Sequence, residues 1–169
     1  MAKEVFHRIR SAGIEMDSKQ WGDYCDASRD DPEKRINTQI GKYLFNDCDV
    51  CMNPETMSLV VDGKAYGYYV TLKWCDCGNG SWSFAFDFCY GIGGGGGGCS
   101  FTDPDDEKEW MRGRPSEKEA KVAACERALE CLSHNRRKND VKADRLIRMV
   151  EDYMKSISRP KVVQLSLFD

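Results

Sequence analysis

Residues 66–90 read YGYYVTLKWCDCGNGSWSFAFDFCY, and the alternation within them decides the fold. Tyr66, Tyr68, Val70, Leu72 and Trp74 are separated by smaller or more polar residues, and so are Trp82, Phe84, Phe86, Phe88 and Tyr90. Side chains on a strand alternate between its two faces, so each set lies on one face. The stretch from Asp76 to Gly80 supplies the turn, and its Asn79-Gly80 pair suits the positive φ angles of a hairpin. Folding back symmetrically about Gly78 predicts Trp74 opposite Trp82, Leu72 opposite Phe84 and Val70 opposite Phe86. Opposed residues of an antiparallel pair share a face, so these ten large side chains form one apolar sheet surface.

On the N-terminal side, residues 57–61 (Met-Ser-Leu-Val-Val) read as a further strand, closed by Asp62-Gly63. The order strand–strand–strand predicts a three-stranded antiparallel meander with one aromatic face to cover. On the C-terminal side the hairpin meets a long break, 91–114, that holds six consecutive glycines, Gly93–Gly98. Fixing a polyglycine run in one conformation is entropically costly, so a flexible loop is expected. A phosphate cradle is excluded, because no Gly-Lys-Ser/Thr leads directly into a helix.

Two helices follow. Ser116 with Glu119 forms a capping-box pattern, and Val122, Cys125, Leu129 and Leu132, flanked by Ala124 and Ala128, make one apolar stripe over about 116–133. A second helix, about 140–156, repeats this with Leu146, Val150, Tyr153 and Ile157 before Arg159-Pro160 stops it. These helices are the natural cover for the aromatic face. Near the N-terminus, Asp17 or Ser18 caps a short helix beginning at Ser18. Asp31-Pro32-Glu33 is a second start signature, and Ile36, Ile40, Tyr43 and Leu44 at helical spacing extend it to about 46. The expected architecture is α+β: one domain over 1–157 and an extended tail over 158–169.

Composition narrows the class. Charged residues make up 31% of the 169, and no run approaches the roughly 18 apolar residues of a membrane span. The first residues lack the apolar core of a secretory signal, which points to the cytosol, where thiols stay reduced. Nine cysteines, an odd number, argue against a full disulfide framework. The net charge of −3 is uneven: residues 134–169 carry 9 Lys/Arg against 5 Asp/Glu, and the body before them is acidic. That distribution does not match a nucleic-acid footprint over the whole protein. Arg136, Arg137, Lys138, Lys142, Arg145 and Arg148 cluster around the first half of the last helix. They are candidates for phosphate contact, but a solvated helix face is the simpler reading of the cluster.

Catalytic patterns are missing. His7 and His134 stand in unrelated contexts, and there is no His-Glu-x-x-His, nucleophile elbow or carboxylate pair, so no catalytic residue is assigned. Cys48-x-x-Cys51 in a turn and Cys75-x-Cys77 at the hairpin tip supply four thiols for a tetrahedral zinc ion. The one-residue interval is tighter than usual, so zinc is the minority reading and no cofactor is the default. Cys89, Cys125 and Cys131 read as small buried hydrophobes.

Gln164-Leu165-Ser166-Leu167-Phe168 fills every position of a pattern of Gln, Leu, Ser or Asp, Leu, Phe. It resembles the pentapeptide by which bacterial DNA polymerases and repair proteins dock on the sliding clamp. The resemblance implies an extended peptide whose Leu165, Leu167 and Phe168 enter an apolar groove while Gln164 bonds at its rim. The alternative is an apolar strand that pairs with the protein's own sheet. A strand meander followed by the helix from Ser116 to Leu132 also looks like the end of a double-stranded RNA-binding domain, which would set Lys118 and Lys121 against phosphates. Neighbouring glutamates and the long glycine loop make this a likeness of topology. The general look also resembles small α+β proteins of phages and mobile elements. The reading that follows is a non-enzymatic accessory protein of DNA metabolism, from a bacterium or phage, with the sliding clamp as partner. Its rivals are an anti-CRISPR-like inhibitor of a host defence protein, whose acidic body imitates DNA, and a zinc-stabilised adaptor.

Overall fold

The computed structural model describes residues 7–64, 66–106 and 112–159. Its architecture is α+β. The central element is a four-stranded antiparallel sheet in the order β5 (Glu55–Asp62), β6 (Tyr68–Asp76), β7 (Trp82–Tyr90) and β8 (Gly94–Gly96). Preceding it are β1 (His7–Ile9) and β2 (Ile14–Met16), which pair; α1 (Ser18–Asp30); and β3 (Thr38–Ile40) with β4 (Tyr43–Phe45), a second small hairpin. Two helices follow it, α2 (Glu117–Asn135) and α3 (Val141–Ser158).

The predicted aromatic hairpin forms, with its register moved by two residues. Trp74 opposes Phe84, Leu72 opposes Phe86 and Val70 opposes Phe88, while Trp82 meets Asp76. The turn is centred on Asn79 rather than Gly78, because Cys77 and Ser81 close it through a 3.0 Å backbone bond and the Asn79 side chain accepts from the Ser81 N–H. Gly78 and Gly80 both take positive φ inside it. A shift of two preserves which face each residue occupies, so the apolar surface survives. Tyr66 alone leaves it: this residue lies outside the strand with φ at 60° and is 77% exposed.

Helices α2 and α3 cover that surface. Ala120, Ala124, Cys125, Ala128 and Leu132 from α2 and Leu146 and Val150 from α3 join Val70, Leu72 and Trp74 in one buried cluster. The row Ala120, Ala124, Ala128 recurs every four residues and lets α2 lie close on the bulky sheet face, while Val122 and Leu129 are only half-buried. Each fully buried Leu or Val contributes about 1.5–3 kcal/mol. Caps fix the helix starts. Ser116 accepts from the Glu119 N–H, and Asp140 accepts both from the Ala143 N–H and, at 2.9 Å, from the Tyr68 hydroxyl.

Three expectations fail here. The meander is not three-stranded and the glycine run is not a free loop, because Gly94, Gly95 and Gly96 pair with Cys89, Phe88 and Asp87. The reason is steric: a Cβ at Gly94 would strike the Phe88 carbonyl, and one at Gly96 the Asp87 carboxylate. Only glycine can approach this edge so closely, and the ladder bonds offset the entropy of ordering it. The helix expected over 32–46 is also absent. Asp31 does cap a turn at Pro32–Lys34 by accepting from the Glu33 N–H, but it is a single 3₁₀ turn. Ile36 and Ile40, four apart, satisfy strand and helix periods alike. Gly41, with φ at 56°, then turns the chain so that Ile40 pairs with Tyr43. The early helix, by contrast, starts at Ser18 under an Asp17–Gln20 capping box and runs a full 13 residues.

Candidate metal centre

The face of β6–β7 opposite the helices carries a second, smaller core. Tyr43, Phe45, Cys51, Cys75, Cys77, Ala85, Cys99 and Phe101 are buried there together, with Ile40 against them. Alternation explains two of the thiols: Cys75 follows Trp74, so it points away from the helices, and Cys77 shares its face. Cys51 arrives from the loop after β4. Asn46 folds that loop by accepting from the Cys48 and Val50 N–H groups, and Asp49 anchors it by accepting from the Arg10 and Ser11 N–H groups. Cys99 arrives directly after β8, where Val50 and Ser100 form an antiparallel bridge and the Cys51 N–H donates to the Cys99 carbonyl at 2.8 Å.

All four sulfurs are out of solvent: Cys51 is 5% exposed, Cys77 1%, and Cys75 and Cys99 0%. The neighbouring thiols of Cys51, Cys77 and Cys99, together with burial, hold Cys75 protonated, with its pKa well above that of a free thiol. Cys75 in turn lowers Cys77 to about 6, helped by the Thr102 hydroxyl and N–H at 3.5 Å. Cys51 is lowered too, by Cys75 first and then by the Asn53 and Leu44 N–H groups. As the side chains stand, no group of three or more His, Cys, Asp or Glu among the described residues is arranged to hold a metal ion.

Three of the four cysteines singled out in the sequence therefore meet, and one does not. Cys48 is exposed and outside the cluster; its place is taken by Cys99. The signal for Cys99 was its position at the end of the glycine run, and reading that run as a free loop concealed it.

The other sequence candidates are scattered. Gln164–Phe168 lies outside the described residues. Arg136, Arg137, Lys138, Lys142, Arg145 and Arg148 are all exposed. Arg136 pairs with Asp144 at 2.8 Å, Lys142 with Asp62 at 2.7 Å, and Arg148 donates to the Asp144 carbonyl. Among the described residues Arg137, Lys138 and Arg145 make no ion pair. Lys121 sits 4.6 Å over the Trp74 ring and pairs with Glu117, so it is occupied within the fold. A cleft of about 770 Å³ beside β7 and β8 is lined by Arg10, Arg112, Arg114 and Arg127. Those cations are also engaged internally: Arg10 with Asp103 and Asp106, Arg112 with the Asp106 carbonyl, Arg114 on the Phe84 ring and Arg127 with Glu130. Among the described residues no helix is long and apolar enough to cross a membrane.

The chain matches no protein-family model, no curated protein and no solved structure.

Proposed function

We propose that this protein is a non-enzymatic accessory factor of bacterial or phage DNA metabolism that docks on the sliding clamp through Gln164–Phe168. One observation carries the reading: all five positions of the clamp-binding pattern are filled in order, with Leu165, Leu167 and Phe168 as apolar anchors. Five residues, 159–163, separate the end of α3 from Gln164. The peptide is thus connected directly to α3, which carries Arg145, while Arg137 and Lys138 lie in the segment just before that helix. Tethering raises the local concentration of the body at clamp-loaded DNA, where weak cation–phosphate contacts become useful. The buried cluster of four thiols is the observation that favours the rival reading, a zinc-stabilised adaptor.

The test is a binding titration of the protein against a bacterial sliding clamp, with and without residues 164–169. Binding in the micromolar range or tighter that is lost on truncation supports docking. Equal binding by the truncated protein, or none by either, overturns it. A truncated protein that still inhibits a host defence system would instead favour the inhibitor reading.

A further inference from the structure

We propose that Cys51, Cys75, Cys77 and Cys99, which share one buried cluster, are the ligands of a structural zinc ion. This inference is independent of clamp docking.

Four sulfurs at about 2.3 Å from a tetrahedral zinc lie about 3.8 Å from one another, which is the separation of hydrogen-bonded thiols. The four cysteines are gathered in one buried cluster, with Cys75 and Cys77 on the same face of the central hairpin. The backbone bond between Cys51 and Cys99 holds a further pair side by side. Binding would require these side chains to rotate so as to open a centre between the sulfurs.

The surroundings suit thiolates. Zinc binds the deprotonated sulfur, and N–H donors aimed at the sulfurs share the resulting charge. The Thr102 N–H and hydroxyl both reach Cys77 at 3.5 Å, and the Asn53 and Leu44 N–H groups face Cys51. Four cysteines leave no open coordination position, which marks a structural site rather than a catalytic one. Its ligands come from the loop after β4, the tip of the central hairpin and the segment after β8. A zinc ion there would staple the N-terminal elements and the glycine strand to the sheet, where β8 itself has no side chains to pack.

The experiment is elemental analysis and native mass spectrometry of the intact protein, repeated on Cys48→Ser and Cys99→Ser, together with absorption spectra after expression in cobalt-supplemented medium. One zinc per chain is expected in the wild type and in Cys48→Ser, with at least a tenfold loss of occupancy in Cys99→Ser. The cobalt form should show intense thiolate-to-metal charge transfer and the visible bands of a tetrahedral site. If Cys99→Ser does not fold, wild-type stoichiometry, the cobalt spectrum and retention in Cys48→Ser decide the matter. Metal-free protein with four alkylatable thiols, a disulfide among the four, or loss of zinc in Cys48→Ser would each overturn the assignment.

Discussion

The backbone N–H of Cys51 donates to the carbonyl oxygen of Cys99 at 2.8 Å, joining segments that flank β5, β6 and β7 in the chain. This bond sets the loop after β4 beside the exit of the glycine strand and brings both thiols to the hairpin tip. The second core, on the face away from the helices, is built around that junction.

Strand β8 depends on glycine at the positions of closest approach. Gly94→Val drives its side chain into the Phe88 carbonyl and loses the edge pairing. Overpacking of this kind costs about 1–3 kcal/mol. Urea denaturation should show the loss, whereas Gly97→Ala, where a Cβ meets nothing within 4 Å, should be close to neutral.

Tyr68 and Asp140 couple the sheet to α3, since one carboxylate caps the helix and accepts from the tyrosine hydroxyl. Asp140→Ala should cost about 1–2 kcal/mol through the lost cap. Tyr68→Phe should cost about 0.5–1.5 kcal/mol. A double-mutant cycle in thermal denaturation should return a non-zero coupling, because both changes remove the same bond.

Leu72 lies fully buried between the sheet and the helices. Leu72→Ala should cost about 2–5 kcal/mol, by loss of burial and by the cavity left behind. Val60→Ala, on a half-exposed residue of β5, should cost far less in the same chemical denaturation experiment.

Glu55 is bound by Lys42 and Tyr43, and Lys42 above all holds its carboxyl below the usual range. A depressed folded-state pKa stabilises the protein above the unfolded carboxylate value, and the contribution disappears as pH falls through the folded one. Glu55→Gln should therefore be less stable than wild type at pH 7, and the gap should narrow on acidification below about pH 4.5. A gap constant from pH 7 to pH 3 would remove the ion pair from the account.

The large alternating residues of 68–90 were legible because burial on one face leaves a period-2 record that survives a two-residue error in register. The helix from Ser116 was legible through its capping box, and the one from about 140 through the helical spacing of Leu146, Val150, Tyr153 and Ile157. The Ile36–Leu44 stretch was not, because an apolar spacing of four fits both periods and Gly41 decided between them. Nor was β8, since glycine marks an absence of side chains and cannot announce which backbone it will approach. The site inherited that gap: Cys75 and Cys77 came from the strand pattern and Cys51 from its turn, while Cys99 required knowing that the glycine run is a strand.

The most direct measurement of the proposed function is calorimetric titration of the intact protein into a bacterial sliding clamp, beside the double variant Leu167→Ala/Phe168→Ala. Docking predicts a saturable isotherm at micromolar affinity or tighter, weakened at least tenfold in the double variant. An unchanged isotherm in the variant, or no heat of binding from the wild type, would contradict it.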